Sequence, residues 1–346
     1  MKEHKLIAQH FKGIIDSTLR EGFQFSKANF TLEEQIRIFH YLQKIGADYV
    51  EVGNPAKDEI KNMIVHLIGS RSGKPLRILS HIRNHEGDVQ KAMDCGVDGV
   101  NILCTVDAER QSAMKSTPEE YRERLVRNIL RARENRMEVR VGIEQFFDQP
   151  FGRSLDILEL AERYRADRVS VADTLGKAMT WEVHQKIKFL RKRFSFDIEV
   201  HFHNDLGHSV SNAVASLQAG ANWVSTSLLG IGERTGITPL SSLLVNLFMI
   251  DPPLVGKYDL SLLTEAENYI SEICDIEMPV NLLTNTSNGF AHKAGIHLDA
   301  MMRFGPHKYE AFSPSVIGNS RNLVINTPVS GKTTERDVEF FRRKHG

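Results

Sequence analysis

The chain has 346 residues, with 44 basic and 44 acidic side chains in balance. That balance gives no electrostatic reason for a nucleic-acid or membrane-surface partner, and no apolar run reaches the length of a transmembrane helix. Cys95, Cys104 and Cys274 are too few and too scattered for a disulfide framework or a cysteine-rich zinc site, so reduced thiols in a cytoplasmic protein are expected.

The opening run Met1-Lys2-Glu3-His4-Lys5 is polar and lacks the apolar stretch of a signal peptide. From residue 13 onward, short apolar runs alternate with helical patterns. Strands are predicted over 13–19, 49–52, 77–82, 99–104, 138–143, 168–172, 197–203 and 223–229. Most are continuous Val/Ile/Leu runs, the mark of parallel strands covered on both faces. Between them, Thr31-Leu32-Glu33-Glu34 is a capping-box sequence followed by the apolar stripe Leu32, Ile36, Phe39, Leu42. Thr117-Pro118-Glu119-Glu120 repeats the device with proline at the first helical position, and 156–164 and 181–194 are further amphipathic helices.

A joint recurs between helix and strand: Gly46-Ala47-Asp48, Gly96-Val97-Asp98 and Gly220-Ala221-Asn222, with Arg165-Ala166-Asp167 as a version lacking glycine. Glycine ends a helix in the left-handed conformation, and Asp or Asn turns the chain into the next strand. A recurring joint means a recurring βα unit, and eight such strands predict a closed (β/α)8 TIM barrel. An open doubly wound sheet is the alternative, but no GxGxxG follows the first strand. The rhythm stops near Asp251-Pro252-Pro253; helical pattern returns over 260–276 and in a charged last helix over 333–345. The expected organisation is a catalytic barrel over 1–250 and a C-terminal helical lid or dimerisation segment over 251–346.

Barrel active sites are built where strands end. There stand Arg20, Glu21 and Gln24 after the first strand, Glu51 in the second, His81, Arg83 and His85 at the third, Arg140 and Glu144 at the fifth, Asp173 and Thr174 at the sixth, and His201 and His203 at the seventh. His201 and His203, two apart in a strand, project to one face and suit a divalent metal, although two separately hydrogen-bonded histidines fit the same spacing. Glu21 or Asp16 supplies a third ligand. Such a site leaves open positions for a chelating substrate, and a 2-oxo acid chelates through its carboxylate and ketone oxygens. Arg20 suits a developing oxyanion, and Arg140, His81 and Thr174 suit a second anionic group. A pairing of Arg140 with Glu144 alone is equally compatible with the sequence. Glu51, a carboxylate in a buried strand, requires a partner, expected to be Arg20. The glycine-rich loop 230–236 fits a tight turn as well as a phosphate site.

Asp16-Ser17-Thr18-Leu19-Arg20-Glu21-Gly22 and His201-Phe202-His203-Asn204-Asp205 resemble the signatures of the DRE-TIM metallolyase superfamily. Within it the chain most resembles homocitrate synthases, through Ile78-Leu79-Ser80-His81-Ile82-Arg83, residues 230–240 and His292-Lys293-Ala294-Gly295-Ile296-His297. The resemblance implies an acyltransferase that condenses acetyl-CoA with an anionic 2-oxo acid, 2-oxoglutarate first, and releases CoA. It implies Glu21, His201 and His203 as ligands of Mg, Mn or Zn. Arg20, Gln24, His81, Arg140 and Thr174 are then contacts to the acid, and Glu51 orders that pocket. His297 and Tyr309 match catalytic groups lent by a lid across a homodimer, and Glu144 matches a residue that works beside them.

One departure stands out. Homocitrate synthases carry a serine where this chain has Gly142, within Arg140-Val141-Gly142-Ile143. The change is expected to enlarge a pocket kept cationic by Arg140, His81 and Arg83, and to admit phosphonopyruvate or oxaloacetate. Ile237, where isopropylmalate synthases usually have Asn, and the expected lack of a C-terminal regulatory domain point away from those enzymes. A carbon–carbon lyase or aldolase of the same superfamily is the alternative class; the run 292–297 favours a synthase.

Overall fold

The computed structural model describes residues 2–73, 76–113, 116–325, 337–339, 341 and 343. Eight parallel strands close into a barrel in chain order: β1 (Gly13–Asp16), β2 (Tyr49–Val52), β3 (Arg77–Arg83), β4 (Gly99–Cys104), β5 (Glu138–Ile143), β6 (Arg168–Asp173), β7 (Asp197–Phe202) and β8 (Trp223–Thr226). β8 returns to β1 in register from Gly13↔Trp223 to Asp16↔Thr226, which leaves the barrel sheet without an edge. Helices connect successive strands, among them Leu32–Ile45, Pro118–Glu134 and Thr180–Arg193. Both capping boxes form: Thr31 and Glu34, and Thr117 and Glu120, each exchange side-chain and backbone hydrogen bonds. A first helix, Lys2–His10, precedes β1, where the sequence reading saw only a polar opening. Among the described residues no helix is long and apolar enough to cross a membrane.

The recurrent joint has a structural purpose. Gly46, Gly96 and Gly220 adopt φ of 90°, 73° and 108°, and Arg165 takes the same left-handed turn at φ 56°. The polar residue two positions on then accepts a hydrogen bond from the preceding strand. Asp48 receives the Ile14 N–H at 3.0 Å, Asp98 the Ile78 N–H at 2.7 Å, Asp167 the Val139 N–H at 2.8 Å and Asn222 the Ile198 N–H at 2.9 Å. Each odd strand is thus tied at its N-terminal end to the joint that feeds the even strand beside it.

Three strands are shorter than expected. β1 stops at Asp16 instead of reaching 19, because Asp16 Oδ1 accepts the Thr18 N–H and the chain turns into the helix Thr18–Glu21. β8 stops at Thr226 instead of 229: Leu228–Gly230 is a 3-10 turn in which Leu229 has φ 58°. β7 ends at Phe202, and His203 forms an isolated bridge to Ile237. The three cysteines are buried.

The chain divides into two compact units, Met1–Tyr258 and Asp259–Gly346. The first extends beyond residue 250 because Lys257 Nζ and Tyr258 Oη both donate to Asp48. The second holds the helices Leu263–Ile273 and Gly295–Phe304, a parallel pair of short strands, Ala291–His292 and Asn322–Leu323, and a cluster of Leu298, Met301, Leu323, Val338 and Phe341. The last helix expected over 333–345 falls largely outside the described residues; residues 337–339, 341 and 343 are helical.

Candidate active site

The barrel interior carries charge. At its N-terminal end, Ile15, Tyr49 and Leu79 pack with Trp223. Arg168 lies over the Tyr49 and Trp223 rings, 4.6 and 4.1 Å from their centroids, and pairs with Glu138. From there charges of alternating sign run along the interior. Arg168 Nη1 is 3.3 Å from Glu199, Glu199 is 2.9 Å from Arg140 Nη1, Arg140 Nη2 donates to Glu51, and Glu51 accepts from Arg20 Nε. Arg20 Nη2 lies 2.7 Å from Glu21. Arg140, Glu51 and Glu199 are each 1% exposed, so the row survives only because every member has a partner of opposite sign.

Glu51 therefore has the Arg20 partner expected of it, and Arg140, Asn101 and Ser17 besides. The pairing of Arg140 with Glu144 is overturned: Arg140 bridges Glu51 and Glu199, while Glu144 binds Arg110 at 2.8 Å. Burial pulls the Arg140 guanidinium down to about 10.

At the C-terminal end of the strands, Glu21, His201 and His203 offer ligand atoms that all lie within 4.8 Å of one another. All three are buried; Glu21 Oε1 faces the Arg20 guanidinium at 2.7 Å, while Glu21 Oε2 and His203 Nδ1 lack a hydrogen-bond partner. Buried acceptors left bare at one point are what a cation needs, and the mixed carboxylate and imidazole set suits Mg, Mn or Zn. Of the two carboxylates open in the sequence, Glu21 joins the histidines; Asp16 is used on the Thr18 N–H. His201 Nδ1 is held 3.0 Å from Ser225 Oγ, which aims Nε2 at Glu21, 3.5 Å away. Burial, followed by the Arg20 charge, drives His201 well below the ordinary histidine range; burial also lowers His203. Neutral imidazoles are the form that binds metal.

The triad opens on a cavity of about 260 Å³ whose walls include Arg20, Gln24, Glu51, His81, Arg140, Glu144 and Thr174; Asp16, Arg83, His85 and Asp173, also singled out from the sequence, are not among them. Thr174 Oγ1 also accepts the Gln145 N–H. Two expectations fail here. The cavity is not cationic: Arg20 and Arg140 face five carboxylates, Glu21, Glu51, Glu144, Glu199 and Glu233. Arg83 does not contribute, since it binds Asp88 and lines an adjoining cavity, and burial lowers His81 to about 3. Nor does Gly142 enlarge the space, because the Asn101 side chain fills it. The loop 230–236 closes on itself through Ile237 N–H to Gly230 and Gly236 N–H to Glu233, a tight turn.

His297 and Tyr309 belong to the second unit, where their rings stack at 3.8 Å, and Tyr309 is 41% exposed. Glu199, Arg168, Asn101 and Ser225 were missed in the sequence. Glu199 carried the signal that marked Glu51, a carboxylate flanked by Ile198 and Val200. A second cleft, lined by Arg77, Glu138, Arg168, Asp197 and Trp223 at the opposite end of the strands, holds paired charges and no ligand set.

Residues 12–270 match the HMGL-like family, and residues 285–337 match the homocitrate synthase post-HMGL domain-like family. The mitochondrial homocitrate synthase of Schizosaccharomyces pombe is 35% identical over 320 residues, 92% of this chain and 76% of that protein. The homocitrate synthase of Pyrococcus abyssi is 32% identical over 336 residues, 96% of this chain and 91% of that one. Among solved structures, the HMG-CoA lyase of Bacillus subtilis has a TM-score of 0.70 at 18% identity, covering 78% of this chain and 96% of its own, a likeness of fold alone.

Proposed function

We propose, from the premise that this chain belongs to the homocitrate synthase family of HMGL-like proteins, that it condenses acetyl-CoA with a 2-oxo diacid, 2-oxoglutarate first. The methyl carbon of acetyl-CoA gives up a proton and adds to the ketone carbon. Water then cleaves the thioester, leaving a 2-hydroxy-2-carboxymethyl acid and CoA. The observation that carries the reading is the buried Glu21, His201, His203 set, with Glu21 Oε2 and His203 Nδ1 bare and Arg20 against Glu21 Oε1.

A divalent cation held by those three residues supplies Lewis-acid polarisation of a carbonyl. The chain's own groups do the rest. Arg20, fixed between Glu21 and Glu51, keeps a guanidinium where the ketone oxygen gains charge. Gln24, His81, Arg140 and Thr174 bind the acid, and Glu51 holds Arg20 and Arg140 in place. His297 and Tyr309, with Glu144, handle the methyl proton across a homodimer interface. The adjoining cavity of about 840 Å³, which shares Arg20, Gln24 and His81, gives a thioester carrier room to approach. Arg140, already shared by Glu51 and Glu199, favours a substrate end bearing one negative charge over a doubly charged phosphonate.

Thiol release from acetyl-CoA, measured across 2-oxo acids with added Mg, Mn or Zn, tests this directly. Release is expected with 2-oxoglutarate and at least tenfold less with phosphonopyruvate; none with any acid refutes the reading. A His201→Ala/His203→Ala protein should lose its bound metal, and equal metal content would remove the site. Cleavage of a hydroxyacyl-CoA without acetyl-CoA turnover would assign the lyase class instead. Full activity in a monomer, by sedimentation, would exclude the shared lid.

A further inference from the structure

We infer that Asn101 is a positioning residue for the far end of the oxo acid and that Gly142 is the space this amide requires; the inference deepens the function proposed above and rests on it.

Asn101 stands on β4, 4% exposed, in the wall of the cavity. Its Nδ2 donates to Glu51 Oε1 at 3.1 Å and lies 2.9 Å from His81 Nδ1. Glu51 decides which way the amide faces, because turning it over would set Oδ1 against a carboxylate oxygen. With Nδ2 toward both neighbours, one of its hydrogens serves Glu51 and the other His81 Nδ1. Nδ1 is then the lone-pair nitrogen, the ring proton sits on Nε2, and the 3.3 Å from Nδ1 to Glu51 Oε1 is a contact between two acceptors that share the Asn101 amide. His81 is thereby held as a neutral imidazole whose one remaining polar atom is a donor, on a side chain that lines the cavity.

The other end of the amide explains the glycine. A Cβ placed on residue 142 would stand 2.6 Å from Asn101 Oδ1 and 3.2 Å from Nδ2. Oδ1 is buried and accepts no hydrogen bond. The clash would be trivial for a swinging side chain, but this one is pinned by Glu51 and His81. A side chain at 142 and the amide at 101 are thus alternative occupants of one volume. The wall at β5 is filled from β4. What reads the substrate's far end is a neutral N–H from His81 beside Arg140, whose charge Glu51 and Glu199 already share. That combination fits a single carboxylate.

The test is a cycle of wild type, Asn101→Ala, Gly142→Ser and the double variant. Kinetics with 2-oxoglutarate, metal content and thermal unfolding are followed in each. Asn101→Ala should raise KM for the oxo acid roughly tenfold or more while kcat, KM for acetyl-CoA and metal content hold. Gly142→Ser alone should lower Tm by roughly 2–4 °C through overpacking. In the Asn101→Ala background the same serine should cost no further Tm and bring KM back toward wild type. Additive Tm losses would overturn the shared volume, and an Asn101→Ala protein that loses kcat or metal with KM unchanged would overturn the positioning role. The two readings fail separately: absent turnover in wild type sinks the proposed function, whereas the melting cycle reports on the pair with no substrate present.

Discussion

Replacing Glu199 with glutamine keeps the side-chain shape and removes one negative charge from the middle of the interior row. Its carboxylate lies 2.9 Å from Arg140 Nη1 and 3.3 Å from Arg168 Nη1, and all three residues are buried. At an effective dielectric of about 20, unit charges about 3 Å apart attract by roughly 5 kcal/mol, most of it offset by desolvation. What shows on mutation is the cost of leaving buried cations under-compensated, about 3–5 kcal/mol when one partner is removed. Each arginine here keeps a second carboxylate, Glu51 for Arg140 and Glu138 for Arg168, which places the loss near the lower end, at about 3 kcal/mol. In a chain of this size that lowers Tm by roughly 4 °C. Thermal and urea unfolding of the metal-loaded protein measure it. Metal content should hold, because Glu199 is no part of the ligand set, while KM for the oxo acid rises as Arg140 settles on Glu51 alone. A loss under about 1 kcal/mol with unchanged KM would refute the view that this carboxylate holds two buried cations.

Acid should act through His81. Burial, followed by the Arg20 charge, holds its ring at about 3, so the folded protein refuses a proton that the unfolded chain takes up from about pH 6.5 downward. Stability present above that pH is lost as pH falls, by about 1.4 kcal/mol per unit; from pH 7 to 5 a His81→Asn protein should lose about 2 kcal/mol less than wild type, and equal losses in urea titrations would contradict the assignment. Asp48→Ala strips the Ile14 N–H, Lys257 Nζ and Tyr258 Oη of one shared acceptor. It should cost about 2–3 kcal/mol with an unchanged urea m-value, and a cost below about 1 kcal/mol would mean the joint is decorative.

The barrel was legible because two independent patterns agreed, continuous apolar runs and a joint with one composition. The metal triad was legible in part: the spacing of His201 and His203 follows from the two-residue period of a strand, while the choice of Glu21 over Asp16 depended on where β1 ends. Strand length there is decided by a side chain bonding its own backbone, Asp16 to the Thr18 N–H, which apolar pattern does not report. Glu51 was legible as a residue in need of a partner. Glu199 obeys the same desolvation rule but lies in the middle of β7, away from the strand end where barrel sites are built. Which cation meets which anion could not be read at all. Arg140, Glu51 and Glu199 come together only when β2, β5 and β7 face one another across the closed interior. The crowding of Gly142 by Asn101 is likewise a relation between neighbouring strands, invisible in either segment alone.

The ties made by Asp48, Asp98, Asp167 and Asn222 link β1 with β2, β3 with β4, β5 with β6 and β7 with β8. The backbone carbonyls of the same four residues accept the N–H of Arg77, Glu138, Asp197 and Lys12 on the other side, so the backbone ladder runs unbroken between those pairs. By side chain alone the barrel is a ring of four quarters, each carrying its own clasp. A circular permutant opened between β2 and β3 or between β4 and β5 keeps all four clasps on continuous chain. One opened between β1 and β2 must close a clasp between its two ends.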